Sequence, residues 1–216
     1  MKAETHRSQE LTCHFLTDKI KSISELDVQF IVPNYICNNG VDILSTALQY
    51  ITQVHSLLLI DCIFSLQGCQ VLGETLQKNT CIKNCVLNEN MRMKGNVIMH
   101  MSFGLFLNTT LQTLMLELVD MGPDGMQVIA SVIEVNQSLK EQSLGRNNPK
   151  EGIIDLAWTI SLNQTLLWLE LGSCWIACLG GAALFESMKE NKCLEGLNLT
   201  QNQLDDWVTD TLESMI

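Results

Sequence analysis

Residues 110–139 read TLQTLMLELVDMGPDGMQVIASVIEVNQSL, and this stretch decides the architecture. Leu111, Leu114 and Leu116 open it as L-x-x-L-x-L. The period of two between Leu114 and Leu116 places both side chains on one face of a short strand. Ile129 and Ile133, four residues apart, share one helix face. Gly122-Pro123-Asp124-Gly125 stands between the two halves and reads as a turn. One unit is therefore strand, turn, helix and return.

The unit recurs along the chain. Leu26, Val54, Ile82, Leu111, Leu139, Leu166 and Leu194 are spaced 28, 28, 29, 28, 27 and 28 residues apart. With these as position zero, column +3 reads Gln29, Leu57, Cys85, Leu114, Gln142, Leu169, Leu197. Column +5 is apolar in every unit, from Ile31 to Leu199. The helix columns lie ten and six residues before the next register position, as with Leu72 and Leu76 or Leu156 and Ile160. Gly40, Gly68, Gly95, Gly125, Gly152 and Gly180 stand just ahead of the helices, where the chain is expected to turn. A period of 27–29 residues with this apolar pattern is that of a leucine-rich repeat. The expected fold is an α/β solenoid, a right-handed horseshoe of about seven repeats, with an inner parallel β-sheet and outer α-helices.

Column +8 alternates: Asn34, Cys62, Asn90, Val119, Asn147, Cys174, Asn202. An Asn there can hydrogen-bond backbone groups that a buried turn would otherwise orphan. With Cys193–Leu204 (CLEGLNLTQNQL) as a second strong segment, the chain resembles the ribonuclease-inhibitor-type leucine-rich-repeat proteins over roughly residues 16–216. The class includes the ribonuclease inhibitor, Ran GTPase-activating proteins and the repeat domains of nucleotide-binding immune receptors. The resemblance implies binding on the concave sheet face.

Departures from the pattern mark irregular units. Gln29 and Gln142 fall in a core column, where an amide without partners costs about 1–3 kcal/mol. Pro149 takes an apolar slot in the 27-residue unit. Residues 1–23 read as a tail and a capping helix, and 24–216 as the repeat domain. Leu212 and Ile216 fall on helix columns, so the last repeat reads as incomplete and uncapped. A natural short form, an incomplete chain and an end that self-associates all fit that ending.

Composition narrows the function. The net charge is −11, and Lys and Arg are not clustered, so nucleic acid is not an expected ligand. A protein partner, basic or carrying an apolar anchor, suits the charge better. No apolar run approaches a membrane span, and MKAETHRSQELTCHF lacks the apolar stretch of a signal peptide. Nine cysteines without a framework fit reduced thiols, so a cytoplasmic or nuclear protein is expected.

Candidate sites follow from the columns. Column +4 faces the concave side and reads Phe30, Leu58, Val86, Met115, Ser143, Glu170, Asn198. Its four apolar members would make a stripe about 15 Å long at the spacing of neighbouring strands. Columns +2, +6 and +7 add Trp168, Glu141, Asp61, Glu89, Glu117 and Arg146. The partner-binding set is then Phe30, Leu58, Val86, Met115, Glu117, Glu141, Arg146, Trp168 and Glu170, with apolar anchors and steering acids. Trp168 could equally lie flat along its strand neighbours.

Other motifs yield to the repeat. Cys81/Cys85 and Cys174/Cys178 are C-x3-C pairs three to four repeats apart, too far to converge on a metal. Asn108, Asn136 and Asn163 match glycosylation sequons, but they recur three residues before a register position. They read as helix-end residues in a left-handed conformation. Asn198 also matches a sequon and reads as sheet surface. His6, His14, His55 and His100 occupy unrelated positions, and no phosphate-binding or nucleophile-elbow motif is present. No cofactor is expected, and the chain reads as a non-enzymatic interaction scaffold. Two alternatives stay open: a regulatory repeat fragment of a larger receptor-like or inhibitor protein, and a GTPase activator of the Ran-activating type using Arg92 or Arg146.

Overall fold

The computed structural model describes residues 45, 48–49, 52–62, 64, 66–91 and 93–205. Strand and helix alternate: β1 (Ser56–Leu58), α1 (Leu66–Lys78), β2 (Asn84–Val86), α2 (Gly95–Leu107), β3 (Thr113–Met115), α3 (Gly122–Val135). They continue as β4 (Glu141–Ser143), α4 (Gly152–Leu162), β5 (Trp168–Glu170), α5 (Cys178–Glu190) and β6 (Gly196–Asn198). The six strands form one parallel sheet in chain order, and each helix packs on its neighbours in sequence. This is an α/β leucine-rich-repeat solenoid. The expected capping helix, Gln29, Phe30, Gly40, Arg92, Leu212 and Ile216 lie outside the described residues.

The columns behave as the period requires. Val54, Ile82, Leu111, Leu139 and Leu166 are buried, as are Leu57, Cys85, Leu114 and Leu169. The helix pairs Leu72/Leu76, Met101/Leu105, Ile129/Ile133 and Leu156/Ile160 close the same core from the other side. Strand register never slips: Ser56 pairs Asn84, then Thr113, Glu141, Trp168 and Gly196 in turn. Every helix also ends four residues before the next register position. The one-residue differences in unit length therefore fall between column +8 and the first helix column, where no ladder has to stay in step, and the 27-residue unit has the shortest helix, α4, of 11 residues.

Column +8 works across units. Asn147 Oδ1 accepts the amides of Val119 (3.1 Å) and Met121 (3.3 Å), both in the preceding unit. Its Nδ2 donates to Leu116 O in that unit and to Leu144 O in its own. Asn90 serves Cys62 in the same way, and Asn202 serves Cys174. The small Cys or Val between two Asn turns is the recipient, so it needs no side-chain amide of its own.

Two expectations change in detail. The glycines do not supply turns. Gly68, Gly125 and Gly180 lie inside the first turn of their helices, and Gly95 and Gly152 begin theirs. A Cβ on Gly95 would stand 2.6 Å from Gly125 N, and one on Gly152 2.7 Å from Pro123 O. Close helix approach is what requires them; Gly122 alone among the described glycines has positive φ, at 65°. The recurring left-handed turn position is instead column +7, Asp61, Glu89, Leu118, Arg146, Ser173 and Gln201 with φ between 51° and 65°, and Asp120, Lys150 and Trp175 are left-handed outside it.

The helix-end asparagines are not left-handed either. Asn108, Asn136, Asn163 and Asn191 are extended, with φ near −72° and ψ 128–135°. Their side chains do the work. Asn136 Oδ1 accepts the Ser138 and Leu139 amides, while its Nδ2 donates to Leu105 O and Asn108 O of the unit before. Asn191 repeats the pattern on Ile160 O and Asn163 O. Gln142 shows the cost of a polar intruder: Nε2 reaches Leu114 O at 2.9 Å, while the buried Oε1 has no partner.

Candidate functional site

The sheet face turned away from the helices carries three rows of side chains. The middle row is set by strand register: Leu58, Val86, Met115, Ser143, Glu170, Asn198. Leu58, Val86 and Met115 lie side by side and half-buried, each flanked in its own strand by inward-facing core residues. They form a continuous apolar stripe over three strands. Beyond Met115 the row turns polar, beginning at the buried Ser143.

The acids are less free than a steering role assumes. Glu117 Oε1 accepts the Ser143 hydroxyl at 2.6 Å, and the Glu117 amide donates to Asn88 Oδ1. Both oxygens of Glu170 are engaged, by the Gly172 amide and Asn198 Nδ2, each at 2.6 Å. Glu141 takes a long bond of 3.4 Å from the Thr113 hydroxyl and remains exposed. Charge is thus held on the face by fixed geometry, which lowers the entropy lost when a partner docks.

Trp168 stands in the outer row beside Glu141 and opposite Gly196. Its ring covers Gly196 so closely that a Cβ there would fall 2.1 Å from ring atoms Cε3 and Cζ3. The indole lies flat on its strand neighbour and still leaves half its surface exposed. A shallow cavity of about 370 Å³ opens next to it, lined by Glu141, Leu167, Trp168 and Glu195.

The sequence-based set therefore divides. Leu58, Val86 and Met115 come together in one row; Glu141 and Trp168 pair at the strand beginnings. Arg146 stands in a left-handed turn past the strand end, on the opposite rim from Trp168. Phe30 lies outside the described residues. Leu167 and Glu195 are additions. They occupy column +1, which the apolar pattern does not single out but which borders the cavity in the folded array.

The cysteines take separate places. Cys62, Cys69, Cys85 and Cys174 are buried. Burial pushes the Cys85 thiol up to about 12. Cys174 rises to about 11, mainly through burial, with the charges of Glu170 and Glu117 adding. Cys178 donates toward Gln203 O, and its hydrogen bond with Asp205 also raises its pKa. Among the described residues, no three His, Cys, Asp or Glu side chains converge on a metal-sized site, and no helix is long and apolar enough to cross a membrane.

Comparison with known proteins agrees with the repeat geometry. The chain is 27% identical over 204 residues to the mouse NACHT, LRR and PYD domains-containing protein 14, covering 90% of this chain and 20% of that protein. It is 25% identical over 176 residues to the mouse NACHT, LRR and PYD domains-containing protein 4E, covering 80% and 18%. The chain thus spans about a fifth of the length of these relatives. No protein-family model matches it. Among solved structures, the tropomodulin C-terminal domain of Caenorhabditis elegans superposes with a TM-score of 0.59 at 12% identity, over 70% of this chain and 90% of that one. That likeness concerns the fold.

Proposed function

We propose that the chain is a non-enzymatic interaction module that binds a partner protein across its sheet face. The observation that carries this reading is the unbroken register row Leu58–Val86–Met115. Apolar side chains on three adjacent strands, half-buried and bordered by acids, form the core of a protein contact with a polar rim. A partner with an apolar anchor and basic flanks complements it, given the chain's net charge of −11. Trp168 and Glu141 supply a second contact at the cavity edge. The buried thiols of Cys85 and Cys174 suit a reducing compartment, cytoplasm or nucleus.

The test is affinity capture with the Leu58→Ser/Val86→Ser/Met115→Ser variant, after its melting curve is shown to match wild type. Loss of captured proteins supports the sheet-face site. An unchanged set of partners removes it.

A second reading is favoured by the relatives. Their names place leucine-rich repeats beside NACHT and PYD domains, and this chain aligns to a fifth of their length. In that reading the chain serves as the regulatory repeat part of a receptor-like assembly. Direct capture of a NACHT-containing protein would select it.

A further inference from the structure

Two carboxylates at the strand beginnings are hardly engaged by the fold, and both flank Trp168. Register sets Glu141, Trp168 and Gly196 abreast on β4, β5 and β6, and Glu195 directly precedes Gly196. The acids therefore stand about two strand spacings apart, roughly 10 Å, with the indole between them. Among the described residues Glu195 makes no side-chain hydrogen bond or ion pair, and Glu141 has only the 3.4 Å bond from Thr113. Glu117 and Glu170, by contrast, are held by Ser143, Gly172 and Asn198. The chain's own cations do not answer the two free acids. Lys140 and Lys192, the lysines nearest them in sequence, donate to Thr165 O (3.2 Å) and Lys189 O (2.6 Å) and pair with neither acid. Arg146 stands on the opposite rim.

The indole between these acids is fixed in place. One of its faces rests on the bare backbone of Gly196, and the half of the ring that stays exposed borders the cavity of about 370 Å³. The earlier members of the same row, Ser56, Asn84 and Thr113, offer no aromatic surface. The cavity wall thus combines a π face, the apolar Leu167 and two anions. An indole attracts a cation over its face, and a carboxylate holds one by charge-assisted hydrogen bonds. So shallow a cavity takes the end of a side chain, not a small molecule that must be buried over most of its surface.

We propose that this cavity receives an arginine side chain of the partner protein. The existence of that partner rests on the sheet-face reading above; the chemistry of the cavity does not. A guanidinium is planar and weakly hydrated, so it stacks on the indole while its N–H edge forks onto a carboxylate. Either acid can take the fork, with the other adding its charge, and Leu167 covers the methylene stem. The compact, strongly hydrated ammonium of lysine meets the same charge without the flat stacking or the fork.

The test is a titration of the full chain with N-acetyl-arginine amide, followed on the indole N–H resonance of Trp168, which is assigned by its loss in Trp168→Phe. The expected result is a saturating shift with a Kd roughly in the millimolar range, weakened by salt. The neutral isostere N-acetyl-citrulline amide should give no saturable shift, and N-acetyl-lysine amide should bind at least about threefold more weakly. Glu195→Gln and Glu141→Gln, each with an unchanged melting curve, should lower arginine affinity at least about threefold. A resonance that arginine amide leaves unmoved overturns the proposal. So does an equal response to citrulline or lysine amide, or an affinity that neither Gln variant lowers. The Leu58→Ser/Val86→Ser/Met115→Ser variant should keep arginine binding while it loses partners, which separates the two readings. Loss of partners in that variant with no arginine binding by wild type overturns the pocket alone. Arginine binding with an unchanged set of partners overturns the sheet-face site and leaves the pocket standing.

Discussion

Asn147 closes a turn that belongs to its neighbour, holding the Val119 amide on its Oδ1 at 3.1 Å. Its side chain meets four further backbone groups in the interior. Removing it orphans buried donors and acceptors at about 1–3 kcal/mol each. Asn147→Ala is expected to destabilise the chain by roughly 3 kcal/mol or more in denaturant titration. Val119→Ala leaves those polar bonds intact and loses only packing, about 1–3 kcal/mol.

Trp168 and Gly196 make a coupled pair. Gly196→Ala should force the ring off its strand neighbour and destabilise by about 1–3 kcal/mol. In a Trp168→Ala background the clash is gone, and the same change should stabilise by about 0.5–1 kcal/mol, because glycine is a poor strand residue. A double-mutant cycle reads the difference directly. Additive effects would show that the ring does not rest on Gly196.

The helix starts predict a contrast between glycines. Gly95→Ala places a Cβ against the backbone of Gly125 and should lower the melting temperature clearly. Gly122→Ala meets no atom within 4 Å, and its expected cost, about 1 kcal/mol, comes only from the positive φ. If both cost the same, close helix packing is not what the glycines supply.

Alkaline stability follows from the buried thiols. The ordinary value is 9.0, and burial raises Cys85 to about 12 and Cys174 to about 11. Below pH 9 both states keep these protons, and the thiols' contribution to stability is complete. Above it the unfolded chain releases them while the native chain holds them, so stability falls as pH rises toward 11 and 12. Each thiol weakens folding about tenfold per pH unit in that window. Urea midpoints from about pH 8 to about pH 11 check this, and Cys85→Ala should reduce the slope by one thiol's share. At neutral pH, Cys62, Cys69, Cys85 and Cys174 should resist alkylation until the chain unfolds.

The sequence carries the core because the core repeats. Columns zero, +3 and +5 and the two helix columns could be read from spacing alone, and Leu114 or Ile133 sits where its column puts it. Roles that depend on contact between units were harder to read. Gly95 looks like a turn residue until Gly125 of the next unit is beside it. Asn136 looks like a left-handed cap until its amide is seen reaching Leu105 and Asn108 of the unit before. That burial also closes Asn108, Asn136 and Asn163 to glycosylation in the folded chain. Phe103 on α2 and Trp158 on α4, both exposed, escape periodic reasoning for the opposite reason: their column changes from unit to unit.

The reach of Asn90, Asn147 and Asn202 into the unit before each of them has a genealogical consequence. Their bonds tie Cys62 to Asn90, Val119 to Asn147 and Cys174 to Asn202. Loss or gain of a single unit would leave one recipient turn without its donor or set two donors side by side. Exchange of a block of two, 57 or 55 residues as counted from Cys62 to Val119 and from Val119 to Cys174, restores every pairing. Such an array should grow and shrink in evolution by even steps, and chimaeras cut between Asn90 and Val119 should tolerate recombination better than those cut between Val119 and Asn147.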